Sequence, residues 1–176
     1  MFVPGILITI VTFPGVIVHE LAHQICCRIC KVPVFKVVYF QAQNPAGYVL
    51  HEATDNLWHQ LFISTGPFLF NTLVAALIAL PAALPVFEYG NANLFHYLLM
   101  YLSVAIGMHA FPSTGDANAL WSSIRRETTP FWLKVLVTPV VGIMYLGALS
   151  SFFWLDMIYG LAIAIGFPKL LIALLA

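Results

Sequence analysis

Charged residues are scarce in this chain, and the few that occur balance one another. Only 8% of the 176 residues are Asp, Glu, Lys or Arg, and seven basic side chains are matched by seven acidic ones. Soluble proteins average about 25% charged residues, so this composition is typical of a membrane protein embedded in a lipid bilayer. The even balance excludes an extended basic surface, and no nucleic-acid partner is expected.

Repeats, low-complexity tracts and long polar linkers are also missing, which predicts a single domain over residues 1–176. There are only three cysteines, and Cys27 and Cys30 form one CxxC without a second pair. Reduced thiols are therefore expected rather than a structural zinc site. The N-terminal segment has neither a basic region nor a small-residue cleavage site, so we expect it to be retained rather than removed as a signal peptide.

Most of the sequence consists of long hydrophobic stretches. A membrane-spanning helix needs about 20 apolar residues, and five stretches approach or exceed that length: residues 2–30, 57–86, 93–111, 131–151 and 153–175. The sequence thus predicts an all-α polytopic membrane protein with about five transmembrane helices. Between the first two, β-prone residues 34–40 and 48–50 flank a turn signal at residues 44–47, which predicts a short membrane-associated β-hairpin.

Basic residues fall on only some of the predicted connections. Arg28, Lys31 and Lys36 flank the first connection, whereas the connections near Glu88 and Asp156 contain no Lys or Arg. By the positive-inside rule, the N-terminus is expected outside the cell and the C-terminus in the cytoplasm. The hairpin and the loop at residues 113–129 are then cytoplasmic as well.

The most informative stretch is His19-Glu20-Leu21-Ala22-His23, an HExxH motif within the first hydrophobic segment. On a helix, residues four apart share one face, so His19 and His23 can direct ring nitrogens at one tetrahedral Zn²⁺. Glu20 lies one residue further round, where it can accept a proton from a water held by the metal. Ionisable groups are costly in a membrane segment and mark functional sites there, which favours a metal site over a chance match.

A catalytic zinc needs a third protein ligand and an open position for water. Asp116 is the best candidate, because Glu88 and Asp156 fall across the membrane by the charge-based orientation. It follows a helix break at residues 112–115 and precedes a new helix. An N-cap that accepts backbone hydrogen bonds is an equal alternative for this carboxylate. The two roles are compatible, because one oxygen can cap the helix while the other binds the metal.

These residues resemble the site-2 proteases, a family of intramembrane zinc metalloproteases. The resemblance rests on HExxH in an early transmembrane helix, followed by Gly66-Pro67-Phe68-Leu69-Phe70-Asn71. That segment is similar to the GPxxN segment of the family, with one more residue before the asparagine. A late Asp after a proline-containing helix break completes the pattern, although Phe111 and Ala117 replace the usual Asn and Gly, as in a small divergent member.

The resemblance implies that His19, His23 and Asp116 bind Zn²⁺ and that Glu20 is the catalytic acid and base. It leaves His109 open as an alternative ligand or a donor to the tetrahedral intermediate. Asn71 is a candidate contact to the substrate or oxyanion, or else an interhelical hydrogen bond.

The expected function is hydrolysis of peptide bonds in or near transmembrane segments of a protein or peptide substrate, at a site that opens to the cytoplasm. The alternative is a membrane metal-binding or transport protein that uses the same ligands without catalysis.

Overall fold

The fold is mostly helical, with one small sheet, as the sequence predicts. The computed structural model describes residues 5–175, so residues 2–4 of the first predicted span lie outside the described part. The α-helices in the described part are α1 (Gly5–Val11), α2 (Phe13–Ile29), α3 (Leu57–Phe87), α4 (Leu94–Met108), α5 (Thr114–Ile124), α6 (Phe131–Ser150), α7 (Leu155–Leu161) and α8 (Phe167–Leu175). A 3-10 turn at Ser151–Phe153 follows α6, and a π-helical segment at Ala162–Gly166 joins α7 to α8.

Fewer membrane spans are supported than the five predicted. Within residues 5–175, three helical stretches are long and apolar enough to cross a membrane: α3, Phe131–Phe153 and Leu155–Leu174. The pair α1 and α2 is a fourth candidate, but it is bent by 80° at its break. Helix α4 has 15 residues, about 22 Å of helix, which is less than the roughly 30 Å of a bilayer core.

Large apolar side chains remain exposed along these helices. Among the most exposed are Leu94, Phe131, Leu146 and Leu174. A surface of this kind is unfavourable in water, but it costs little against lipid chains. The exposed apolar surface and the candidate spans together indicate a membrane protein.

The first predicted span is interrupted at Thr12, two residues before Pro14. Helix α2 begins at Phe13, and Pro14 occupies its first turn, where the missing N–H removes no internal hydrogen bond. Thr12 ends α1 by bonding through its hydroxyl to the Ile8 carbonyl at 2.8 Å. The break allows α2 to run in its own direction through the molecule.

Helices α2 and α4 cross in close contact at Gly15. A Cβ at this position would lie 2.0 Å from the Ala105 carbonyl oxygen and 2.6 Å from Cδ2 of His109. No real side chain tolerates such distances, so only glycine permits this approach of the two backbones. The crossing places the end of α4 against the face of α2 that carries His19.

The predicted hairpin is present between α2 and α3. Strand β1 (Val34–Val38) pairs antiparallel with β2 (Tyr48–His51), with Val37 opposite Val49. The hairpin folds back along α2, since the Tyr39 hydroxyl donates to Gln24 Oε1 at 2.7 Å. Its turn at residues 44–47 consequently lies beside the middle of α2.

Helices α5 and α6 pack around an apolar cluster that includes Leu120, Val137, Val141 and Met144. Leu57, at the start of α3, belongs to the same cluster. This packing holds α5 against the bundle and so fixes where its N-terminus, which carries Asp116, meets α2.

Candidate metal centre

His19 and His23 present their rings to each other on one face of α2. Their Nε2 atoms are 3.2 Å apart, and the two residues are only 8% and 6% exposed. The separation follows from the four-residue spacing, which places both side chains on the same face one turn apart.

The other ring nitrogen of each histidine bonds to a backbone carbonyl. Nδ1 of His19 lies 2.7 Å from the His109 oxygen, and Nδ1 of His23 lies 3.0 Å from the Ile63 oxygen. A carbonyl can only accept, so both Nδ1 atoms donate, and each neutral ring keeps a lone pair on Nε2. This is the tautomer that a metal-binding histidine needs, held by the type of outer contact that orients such ligands.

Asp116 completes the group from α5. Its Oδ1 lies 3.3 Å from Nε2 of His23, while its Oδ2 accepts from the backbone N–H and hydroxyl of Ser113 at 2.8 and 2.7 Å. The expectation that Asp116 is an N-cap is wrong in one detail. Ser113 is the N-cap, and Asp116 is its reciprocal partner three residues on, as in a capping box.

Three acceptor atoms, two imidazole nitrogens and one carboxylate oxygen, therefore face one another. They lie within 4.8 Å of each other, on two buried residues and one half-buried residue. Such a set requires a shared proton or a metal cation between its members. Two histidines and one carboxylate also match the three-ligand set of catalytic zinc sites, so the residues fit a metal of that kind.

Glu20 lies beside this group and faces a cavity. It is 7% exposed, and no donor among residues 5–175 bonds to its carboxylate. It lines a cavity of about 390 Å³ together with His19. The hairpin turn closes over it: a Cβ at Gly47 would be 2.7 Å from Cγ of Glu20. The Glu20 carboxylate is thus available to a molecule in the cavity.

Asn71 is placed where it contacts backbone rather than cavity. Its side chain is fully buried, and Nδ2 donates to the carbonyls of His109, Ile106 and Gly15 at 3.0, 3.2 and 3.4 Å. Asn71 lines neither the cavity at Glu20 nor the cavity beside it, so its contact with substrate or an oxyanion stays a prediction. The interhelical hydrogen bond is the role that this geometry supports, and it holds the same His109 carbonyl that orients His19.

The His109 ring lies outside the ligand group. Its Nε2 is 2.8 Å from the Thr12 hydroxyl, at the break between α1 and α2. Its ring therefore does not replace Asp116 in this structure, and its contribution to the group is its backbone oxygen. The residue also lines the cavity at Glu20, so a contact between its side chain and substrate stays a prediction.

Three features of the site cannot be predicted from the HExxH motif. The Ile63 carbonyl and the close contact at Gly47 arise from segments that are distant in sequence from α2. Asp156 lines the same cavity as Glu20, although the charge-based orientation places it across the membrane. The Asn-Pro-Ala-Gly turn signal is a clue only to the hairpin, not to its position over Glu20.

No protein-family model matches the chain, and neither a curated protein nor a solved structure does. The role of this site is therefore inferred from its geometry alone.

Proposed function

We propose that this protein is an intramembrane zinc metalloprotease, a small divergent member of the site-2 protease family. The observation that carries the proposal is the convergence of His19, His23 and Asp116 beside Glu20, a carboxylate that faces a cavity. The three metal ligands alone would be compatible with any metal-binding protein, whether or not it is an enzyme. A free carboxylate next to them, with space for a substrate, favours hydrolysis.

His19, His23 and Asp116 would hold the ion. Zinc bound there supplies Lewis acidity, which activates a water molecule and polarises the scissile carbonyl. The carbonyls of His109 and Ile63 keep the two imidazoles in the correct tautomer and orientation. Ser113 holds one oxygen of Asp116 and leaves the other directed at His23.

Glu20 is the general base in this proposal. Its carboxylate accepts a proton from the attacking water and passes it to the leaving amine, so the group returns to its starting state after each cycle. The absence of a competing donor within the described residues leaves its oxygens free for this exchange. Gly47 packs against Glu20 so closely that an added Cβ would lie 2.7 Å from its Cγ, which limits the space for the Glu20 side chain.

The hairpin offers a place for the substrate backbone. A transmembrane helix hides its peptide bonds, so the segment to be cut must unwind locally. Each strand of the hairpin has one partner within residues 5–175, which leaves an outer edge where an extended segment can add as a further strand. The hairpin turn lies next to Glu20. A substrate segment paired with the outer edge of the hairpin would therefore run close to the metal ligands.

The deciding experiment compares wild type with Glu20→Gln in reconstituted membranes, on transmembrane peptides and at equal zinc occupancy. Glutamine keeps the side-chain shape but cannot accept the proton, so we expect zinc to stay bound while cleavage falls at least about 10²–10⁴-fold. Glu88→Gln is a matched control, because Glu88 is exposed at the end of α3 and lines neither cavity described here.

Equal cleavage by wild type and Glu20→Gln would reject the mechanism. Zinc binding by both proteins, with no cleavage of any transmembrane peptide and no cellular effect of Glu20→Gln, would favour the metal-binding or transport alternative.

A further inference from the structure

A second cavity of about 530 Å³ adjoins the one at Glu20. The two cavities have several wall residues in common: Thr9, Asn44, Ala46, Met108, His109, Ser151 and Asp156. The space that begins at Glu20 therefore continues to the turn between α6 and α7. A substrate bound for cleavage at Glu20 has room to extend in this direction.

Among the described residues, Asp156 is the one carboxylate in the wall of the second cavity, and it lines the first cavity together with Glu20. Its Oδ1 accepts from the Met157 backbone N–H at 2.8 Å. No Lys, Arg or His in the described part of the chain forms an ion pair with it. A negative charge that faces a cavity without a counterion favours a cationic ligand.

Aromatic residues beside Asp156 add to this preference. Phe152 and Trp154 also line the second cavity, and the faces of aromatic rings attract ammonium and guanidinium groups. Trp154 adopts a left-handed backbone conformation, with φ 60° and ψ 18°. This conformation is rare for a bulky residue, and such strain tends to occur at functional sites.

We propose that Asp156 is a specificity residue that binds a cationic group of the substrate near the scissile bond. This inference rests on the proposed function and names its substrate class: transmembrane segments with a lysine or arginine close to the cleavage point, or with the amino terminus there. The carboxylate would pair with the cation, and Phe152 and Trp154 would add aromatic contacts to it.

The test measures equilibrium binding, so it does not depend on cleavage. Fluorescent transmembrane peptides, acetylated and amidated, carry one lysine that is moved position by position, and each is compared with the same peptide bearing glutamine. A third set has a free amino terminus and no lysine. Binding is measured to the full chain with Glu20→Gln, with and without added zinc, and to the same protein with Asp156→Asn.

We expect at least one lysine position, or the free amino terminus, to strengthen binding about 10-fold, and Asp156→Asn to abolish that preference. Asparagine keeps the acceptor for the Met157 N–H, so the turn is preserved. Asp156→Lys is a second variant, for which glutamate at the favoured position should replace lysine as the preferred residue. Glu88→Gln is the control and should leave the preference intact.

The three peptide sets distinguish a side-chain cation from a terminal one, and either preference supports the proposal if it requires Asp156. Equal binding of lysine, glutamine and free-terminus peptides overturns it. A lysine preference that survives Asp156→Asn overturns it as well. A binding preference without cleavage by wild type would leave the cation site standing and count against the protease function alone.

Discussion

Gly15→Ala tests the packing that the metal centre depends on. The added Cβ would lie 2.0 Å from the Ala105 carbonyl oxygen, whereas real Cβ contacts are not shorter than about 3.0 Å. Because the obstacle is backbone rather than a flexible side chain, helices α2 and α4 must separate by about 1 Å at least.

A separation of α2 and α4 would also disturb the metal ligand His19. Nδ1 of His19 is 2.7 Å from the His109 carbonyl across this crossing, and a shift of about 1 Å takes the pair beyond hydrogen-bonding distance. Loss of such an outer contact typically weakens metal binding 10–100-fold, which is the size of the effect we expect on zinc affinity. Overpacking should also lower the free energy of unfolding by about 1–3 kcal/mol.

Gly142→Ala is the matched control. Gly142 lies inside α6, is exposed, and has nothing within 4 Å of an added Cβ. Alanine there should leave zinc affinity unchanged and stabilise the helix by about 0.5–1 kcal/mol. The assays are zinc affinity by competition with a chelating dye and thermal unfolding in detergent. Equal zinc affinity and unfolding temperature in the two variants would refute the close crossing at Gly15.

Other predictions address the ligands, the hairpin and the orientation. The purified protein should carry one zinc per chain, and Asp116→Ala should bind zinc much more weakly, as metal analysis would show; unchanged zinc content would remove Asp116 from the ligand set. Gly47→Val should keep zinc but reduce cleavage by at least about 10-fold, since its side chain would displace Glu20; a wild-type cleavage rate would show that the turn does not confine Glu20. In a cysteine-free background, a cysteine at Lys36 should react with reagents only from the cytoplasmic side and one at Asn91 only from outside. The reverse labelling pattern would overturn the charge-based orientation.

The local features of the chain were readable from the sequence. The four-residue spacing of His19 and His23 determines a shared helix face whatever surrounds it. The turn signal at residues 44–47 and the β-prone residues around it predict the hairpin, because strand pairing between neighbouring segments needs only a turn that reverses the chain. The break near Pro14 also has a local cause, because a helix that continued through Pro14 would lack the N–H from which the carbonyl four residues earlier accepts.

The number of spans was less readable, because hydropathy measures apolar length and not where a helix ends. Residues 93–111 form an apolar stretch of nearly spanning length, yet α4 ends at Met108 and the chain turns before Ser113. The end of α4 is set by what it packs against. Gly15 lets α2 come close enough for His109 to place its carbonyl on His19, and Asn71 holds the same carbonyl from α3.

Only the tertiary structure decided how the distant segments meet at the site. His19 and the His109 carbonyl are 90 residues apart in the chain, and His23 and the Ile63 carbonyl are 40 apart. Local patterns carry no information about such pairs, since their distance depends on how whole helices cross. The same holds for Asp156. The sequence shows only that residue 156 is acidic. The packing of α6 and α7 against the other helices places Asp156 in the wall of the cavity that Glu20 faces.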